Sequence, residues 1–201
     1  MATTAQSPRR TYRMRARAEG AAATRERVLR AAWDRFASAP YESVSIAEIA
    51  AQAGVTAPTV YAKFASKDGL FVSAWEWAIG PEGARRDEAP VGDVEAAVRL
   101  IYDSYELQGD AVLRLLAQED RIAAVREMTD AGREWHRGWV ERTFAPLFDD
   151  LRGAARERRI VALVAATDLL VWKLLRREMG LGRRAAERVV LEMIGSPGTR
   201  G

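Results

Sequence analysis

The chain has 201 residues, of which 48% are hydrophobic and 29% charged, and its formal net charge is +3. These proportions are typical of a soluble globular protein with one or two domains and exclude a chain that is disordered throughout. The absence of cysteine excludes disulfides, thiolate metal sites and thiol redox sensors. Because no apolar run is long enough to span a membrane, we expect a cytoplasmic protein.

Positive charge is concentrated at the N-terminal end of the chain. Residues 1–70 carry eleven Lys or Arg against six Asp or Glu, whereas the remainder carries 20 against 22. A polyanion is therefore expected to bind the N-terminal end. Residues 1–21 include five arginines without apolar periodicity and predict a basic disordered arm. Its arginines either enter a DNA minor groove or belong to a merely solubilising tail.

A first helix is predicted to begin at Thr24, whose hydroxyl would cap it. The apolar residues after it have helical spacing, namely Val28, Leu29, Ala32, Trp33 and Phe36. This spacing predicts an amphipathic helix that ends near Pro40.

Residues 45–64, SIAEIAAQAGVTAPTVYAKF, have the pattern of two short helices joined by a turn. Ser45 forms a capping box with Glu48 three positions later, which predicts a helix start at Ser45. Gly54 ends this helix, because glycine enters the left-handed region without a Cβ clash. The pattern is typical of a DNA-binding helix-turn-helix.

The second helix of this pair is predicted to be capped by Thr56, and Pro58 suits its first turn because a proline there loses no hydrogen bond. Its outward residues are small, hydroxylated, aromatic or cationic, namely Ala57, Thr59, Tyr61 and Lys63. Slim side chains allow an approach to base edges, and polar or basic groups meet phosphates. The alternative is an αα-hairpin whose second helix is simply solvated.

A further capped helix is predicted after Ser66, with Lys67 in its first turn. A cation at this end opposes the helix dipole. Lys67 therefore either meets a phosphate at the helix start or is exposed to solvent.

Two segments resemble the tetracycline-repressor (TetR) family of bacterial transcriptional regulators, namely TRERVLRAAWDRF at residues 24–36 and the run at residues 45–70 that ends in VTAPTVYAKFASKDGL. The residues that carry the resemblance in and after the turn are Gly54, Val55, Tyr61, Phe64 and Lys67.

The resemblance implies a role in DNA binding for nine residues. Ala57, Pro58 and Thr59 would lie against base edges, and Tyr61, Lys63 and Lys67 would hold phosphates. Thr24, Ser45 and Thr56, at predicted helix starts, would offer capping hydroxyls and amides. Ala57 departs from what base recognition needs, because alanine at most touches a thymine methyl.

Only helical patterns follow residues 81–92, which are predicted to form a loop. The first is a helix from Val94 that ends at Gly109, and a short helix capped by Asp110 follows it. A long helical segment runs from about residue 121 to 151. The last two helices run from about Ile160 to Gly180 and from there to about Ile194. We predict an all-α protein of about nine helices. Its predicted domains are the arm at 1–21, the helix-turn-helix domain at 22–68 and a helical ligand-binding and dimerisation domain at 69–201.

The run WKLLRREMGLGRRAAERVV at residues 172–190 resembles the C-terminal helices of the same family, which pair with their copies in a homodimer. The candidate dimerisation residues are Leu163, Val164, Leu170, Val171, Leu174, Val189 and Val190. The alternative is that this apolar stripe packs inside one monomer.

Aromatic residues with a few polar groups are typical of small-molecule pockets. The candidate ligand-binding residues are Tyr102, Tyr105, Trp135, His136, Trp139 and Asp168. Trp135 and Trp139 could equally be core residues, His136 could be a surface residue, and Asp168 could make a hydrogen bond at the dimer contact.

An enzyme is not expected, because one histidine and no cysteine build neither a His-rich metal site nor a Cys–His pair. The Gly180, Gly182 and Ala185 pattern follows no strand and is a helix stop and start. We expect a ligand-responsive transcriptional regulator, a repressor that binds a palindromic double-stranded DNA operator as a homodimer and needs no metal or cofactor. The alternative is a helical adaptor or regulator without its own small-molecule ligand.

Overall fold

The structure, a computed structural model, describes residues 8–195, with the side chains of residue 15 and residues 17–195. Its nine α-helices are α1 Pro8–Ser38, α2 Ile46–Ala53, α3 Ala57–Phe64, α4 Lys67–Arg86, α5 Val94–Leu116, α6 Ala123–Thr143, α7 Gly153–Ala166, α8 Leu169–Lys173 and α9 Arg183–Ile194. Residues 8–195 contain no strand, which confirms the all-α prediction. None of these helices is long and apolar enough to cross a membrane.

The chain divides into two compact units, Met1–Ala78 and Ile79–Gly201. The division falls inside α4, whereas the predicted boundary between residues 68 and 69 lies at the start of that helix. We call these parts the N-terminal unit and the C-terminal unit.

In the N-terminal unit, α1 packs against α2 and α2 packs against α3. Most of the predicted inward residues of α1 and α3 are buried, including Val28, Phe36, Val60 and Phe64, whereas Trp33 is only partly buried. Phe36 also packs edge-on against Phe71 of α4, with ring centroids 5.0 Å apart. This small apolar core sets the angle between α2 and α3 that a helix-turn-helix requires.

The predicted start of the first helix at Thr24 is wrong. Helix α1 begins at Pro8, so part of the expected arm is helical, and residues 1–7 lie outside the described residues. Thr24 lies inside α1, and its hydroxyl donates to the carbonyl of Gly20 at 2.8 Å. A mid-helix threonine often makes this backward bond instead of capping.

In the C-terminal unit, α5 packs against α6, α8 and α9 around a large apolar core. The predicted stripe of α5 lies in this core, and Ile101 and Tyr102 are almost fully buried. The core also contains Trp139 of α6 and Trp172 of α8, both with no exposed surface.

The expected loop at residues 81–92 is helical in its first part, because α4 continues to Arg86 with Pro81 inside it. A proline within a helix removes one backbone hydrogen bond. Contacts of the following turn offset this loss, since Trp139 Nε1 donates to the carbonyl of Arg86 at 3.1 Å.

The predicted break at Gly109 is also wrong, since α5 runs without interruption to Leu116. A Cβ at Gly109 would lie only 2.7 Å from ring atoms of Trp172. Glycine is therefore required at this position for packing. Asp110 pairs with Arg177 at 3.0 Å and does not cap a helix.

The predicted single helix through residue 180 is interrupted after Ala166. Asp168 caps α8, because its carboxylate accepts from the amide of Leu170 at 2.7 Å. Helix α8 continues as a π-helical turn over Leu174–Glu178. The apolar spacing continues across the interruption, so the hydrophobic pattern alone does not reveal it.

Gly109→Ala is expected to lower the free energy of unfolding by about 1–3 kcal/mol, because the added methyl group overpacks the contact with Trp172. Gly132→Ala is the matched control, since a Cβ there meets nothing within 4 Å. It is expected to stabilise α6 by about 0.5–1 kcal/mol. Urea unfolding of both variants measures the difference, and equal effects would contradict the close approach at Gly109.

Candidate functional site

Helix α2 begins where the sequence predicts. The Ser45 hydroxyl accepts from the amide of Ala47 at 3.2 Å and so caps the helix. Glu48 does not complete the predicted capping box, because its carboxylate pairs with Arg35 of α1 at 3.3 Å. The N-cap is confirmed, and the glutamate ties α2 to α1.

The turn between α2 and α3 is the predicted one. Gly54 has φ 68° and ψ 37°, in the left-handed region, and its amide bonds to carbonyls of the last turn of α2. The amide of Val55 donates to the carbonyl of Ala50 at 2.9 Å. Arg27 of α1 donates from Nε to the carbonyl of Ala53 at 3.2 Å, which further satisfies this helix end.

Thr56 stands at the N-cap of α3, but its side chain caps no amide, so this part of the prediction is wrong. Its hydroxyl lies 2.9 Å from the hydroxyl of Thr59 instead. In such a pair one hydroxyl donates and the other keeps its own proton for a further partner. Pro58 occupies the first turn, as predicted.

The outward face of α3 is polar and free of acids. Tyr61 is 50% exposed and Lys63 is exposed, whereas Val60 and Phe64 are buried beneath them. Ala57 and Thr59 are partly exposed at the start of the helix. This face presents a hydroxyl, a phenol and an ammonium group to solvent.

Arg25 lies beside this face, although the sequence pattern does not single it out. Its guanidinium carbon is 4.8 Å from the ring centroid of Phe64, and the side chain is exposed. The contact joins α1 to the end of α3 across many intervening residues, so no local spacing indicates it. Arg25 thus adds a cation at the C-terminal end of α3.

The ammonium group of Lys67 contacts residues 41 and 42, which precede α2. Its Nζ donates to the carbonyl of Glu42 at 3.3 Å and lies 4.5 Å from the ring centroid of Tyr41. Burial lowers the pKa of Lys67, and the carboxylates of Asp68 and Glu42 oppose that shift. These contacts explain a cation at a helix start without invoking solvent exposure.

The joint between α3 and α4 is tight. Ala65 has φ 63° and ψ −45°, and the amide of Ser66 donates to the carbonyl of Phe64 at 2.7 Å, as in a γ-turn. A Cβ at Gly69 would lie 2.3 Å from that carbonyl oxygen. The joint therefore requires a strained Ala65 and a glycine at position 69.

Four of the predicted ligand-binding residues are brought together in the C-terminal unit. The Tyr105 hydroxyl donates to the carbonyl of Thr167 at 3.0 Å, and His136 Nε2 lies 3.1 Å from the Thr167 hydroxyl. The His136 and Trp139 rings stack with centroids 5.7 Å apart. Trp135, on the same helix, is partly exposed.

Arg86 completes this group, and sequence reasoning missed it because its segment was expected to be a loop. Its guanidinium carbon lies 4.9 Å from the ring centroid of Tyr105 and 5.4 Å from that of Trp135. Its Nη2 donates to the Ser104 hydroxyl at 2.6 Å. We call Arg86, Ser104, Tyr105, Trp135, His136 and Thr167 the polar cluster.

Tyr102 and Asp168 have other surroundings. The buried Tyr102 hydroxyl has no hydrogen-bond partner among the described residues. Burial, with the carboxylates of Glu187 and Glu106, raises its pKa to about 12. Asp168 caps α8 and acts on the polar cluster only through its charge.

The comparisons with known proteins agree with this architecture. The family of bacterial regulatory proteins named tetR matches residues 28–74, which contain α2, α3 and their turn. This stretch of the chain is therefore similar to the DNA-binding part of that family. Among curated proteins, none matches it.

Solved structures share the fold of this chain over most of its length. A transcriptional regulator from Pseudomonas aeruginosa PAO1 is 18% identical, with a TM-score of 0.67 over 85% of this chain and 88% of that one. A regulator from Rhodococcus sp. RHA1 is 21% identical, with a TM-score of 0.65 over 85% and 94%. SmeT, solved as a complex with triclosan, is 20% identical, with a TM-score of 0.67 over 89% and 97%.

Two of the predicted dimerisation residues are in the core of the chain itself. Leu163 and Val190 have no exposed surface, so they pack inside one protomer. Val164, Val171 and Val189 are partly buried. Leu170 is 59% exposed and Leu174 is 45% exposed, which leaves these two leucines available to a partner.

Stability below neutral pH is expected to depend on His136, the only histidine. Burial and the Arg86 guanidinium lower its pKa from 6.5 to about 4, against the opposing charge of Asp168. The unfolded chain takes up this proton first, so stability is complete above pH 6.5 and falls as pH decreases toward 4. The slope is about 1.4 kcal/mol per pH unit, or about 2 kcal/mol by about pH 5.

Urea unfolding between about pH 7.5 and pH 5 measures this loss, in a range above most carboxyl titrations. The matched variant His136→Gln keeps a polar group beside Thr167 but has no titrating ring. It should lose less stability over the same range. Parallel curves for the two proteins would contradict the assignment to His136.

Proposed function

We propose that this protein is a transcriptional regulator of the TetR family, a repressor that binds a palindromic operator as a homodimer and is released by a small molecule. The observation that carries the DNA-binding part is the outward face of α3, which has exposed Tyr61 and Lys63, no acid, and a glycine turn before it. A helix of this kind inserts its first residues into the major groove.

Ala57, Pro58 and Thr59 occupy the first turn of α3 and approach base edges in this proposal. Tyr61, Lys63 and Arg25 hold phosphates on either side, because such contacts position the helix without reading sequence. In this proposal Thr24 and Ser45 lie in the segments of the chain that approach the sugar-phosphate backbone of the DNA. Lys67 keeps two further donors after its bond to Glu42 and offers them to a phosphate.

Lys63→Gln should weaken binding to specific and random duplex DNA alike, because a phosphate contact is lost. The slope of log K against log salt should fall in magnitude by about 0.9. Tyr61→Ala should likewise weaken binding to many sequences. Fluorescence anisotropy with labelled duplexes at several salt concentrations measures both effects.

Thr59→Ala should instead relax base preference and change binding to random DNA little. Thr56→Ala is the matched control, since it breaks the same hydroxyl pair but leaves the Thr59 hydroxyl in place. Equal losses on specific and random DNA for Thr59→Ala and Lys63→Gln would contradict the assigned roles.

The homodimer is proposed to form through α8, its π turn and α9. Leu170 and Leu174 are exposed and lie four residues apart, so they share one face. A symmetric pair of such faces places two α3 helices on half-sites about 34–36 Å apart, or a multiple of this distance. Thr167 and Asp168 are excluded from this contact because they serve the polar cluster and the α8 cap.

The double variant Leu170→Glu and Leu174→Glu should be monomeric, because each buried leucine contributes about 1.5–3 kcal/mol and the new charges resist burial. Leu107→Glu is the matched control, since Leu107 is 66% exposed on α5. Sedimentation velocity distinguishes the two states. A double variant that remains dimeric would place the interface elsewhere.

Release by an effector is proposed to act through α4, which starts at Lys67 and ends at Arg86. A ligand that contacts the polar cluster moves the last turns of α4 and thereby alters how the two α3 helices match successive grooves. A coupling of about 1–3 kcal/mol changes operator affinity about 5- to 150-fold. The triclosan complex of SmeT, a protein of the same fold, supports a small-molecule effector.

A further inference from the structure

We infer that the effector is a monocarboxylate whose anionic group is bound by Arg86. The inference rests on the proposed effector role of the C-terminal unit and names the chemical class of that effector. Arg86, Ser104 and the flanking rings of Tyr105 and Trp135 form the binding groups.

In the part of the chain that the structure describes, the guanidinium of Arg86 makes one hydrogen bond to a side chain, although it has five N–H donors. Its Nη2 bonds to Ser104, while its Nε is buried without a hydrogen-bond partner among the described residues. The two aromatic rings stabilise the cation through their faces but accept no conventional hydrogen bond. A guanidinium offers five N–H donors, so most of its capacity is open to an acceptor.

The acids nearest to Arg86 are paired with other arginines. Glu82 pairs with Arg85 at 3.6 Å, and Asp87 pairs with Arg142 at 2.9 Å. Among the side chains described within residues 15–195, no carboxylate oxygen lies within 4.0 Å of a guanidinium nitrogen of Arg86. A cation taken from water without a paired anion is costly, which favours an anion supplied by a ligand.

Ser104 suits the same anion. Its side chain is almost fully buried, and its oxygen accepts the bond from Arg86. Its own proton is therefore available to a second acceptor, such as a carboxylate oxygen that also binds the guanidinium. Two donors from adjacent helices would hold one planar carboxylate.

The charge balance favours a single negative charge. The Thr167 hydroxyl donates to the carbonyl of Leu163 at 2.8 Å, so His136 donates to it through Nε2. Burial lowers the pKa of His136 to about 4, so the ring is neutral near pH 7 and adds no positive charge, and its Nδ1 has no hydrogen-bond partner among the described residues. With Glu82 and Asp168 also near, a dianion such as phosphate would be poorly compensated.

Calorimetric titration of the full-length protein without DNA tests the inference. The probes are benzoate and octanoate, each compared with its uncharged amide, benzamide and octanamide. At least one carboxylate should bind about tenfold or more tightly than its amide, because charged hydrogen bonds to Arg86 are lost with the amide. Arg86→Met should remove this preference, whereas Arg184→Gln, at an exposed position of α9, should keep it.

The inference is overturned if neither carboxylate binds, if an amide binds as tightly as its acid, or if the preference survives in Arg86→Met. Circular dichroism reports whether Arg86→Met is folded. If it is not, Arg86→Lys decides, since the loss of the planar fork should reduce the preference at least threefold and an unchanged preference overturns the inference. Duplex binding of the wild-type protein is measured separately, so a failure of the proposed regulatory function is distinguished from a failure of carboxylate binding.

Discussion

The packing of the C-terminal unit depends on the hydrogen bonds of Thr167, a buried polar residue at the end of α7. Thr167 is almost fully buried, and its carbonyl accepts from Tyr105 of α5 while its hydroxyl bonds to His136 of α6 and to Leu163. A buried polar group without a partner costs about 1–3 kcal/mol, so this residue fixes three helices relative to one another. The same arrangement holds Tyr105 and Trp135 near the guanidinium of Arg86.

The helix-turn-helix was predictable in detail because its determinants are local. Ser45, Gly54 and Pro58 each act within one turn of their own position, through an N-cap, a left-handed backbone and a fixed φ. These effects do not depend on the rest of the chain. The predicted cap at Thr56 is wrong for an equally local reason, because the Thr56 hydroxyl bonds to the hydroxyl of Thr59 three residues away.

The parts that could not be predicted depend on contacts between distant residues. Gly109 resembles a helix stop until Trp172 is known to pack against it. Arg86 belongs to a segment rich in proline, glycine and charge, and only the contacts of its turn with α5 and α6 keep that segment helical. Helical spacing identified Leu163 and Val190 as apolar positions, but it does not distinguish a residue packed in its own protomer from one that meets a second copy.

The γ-turn at Ala65 has a mechanical consequence for signal transmission. A relaxed glycine-rich linker between two helices would absorb a tilt of one helix and leave the other in place. Here Ala65 is already at an unfavourable φ, and a side chain at position 69 would clash with the carbonyl of Phe64, so few alternative backbone conformations are available at this turn. The turn therefore couples the start of α4 to the end of α3 more stiffly than a flexible linker would.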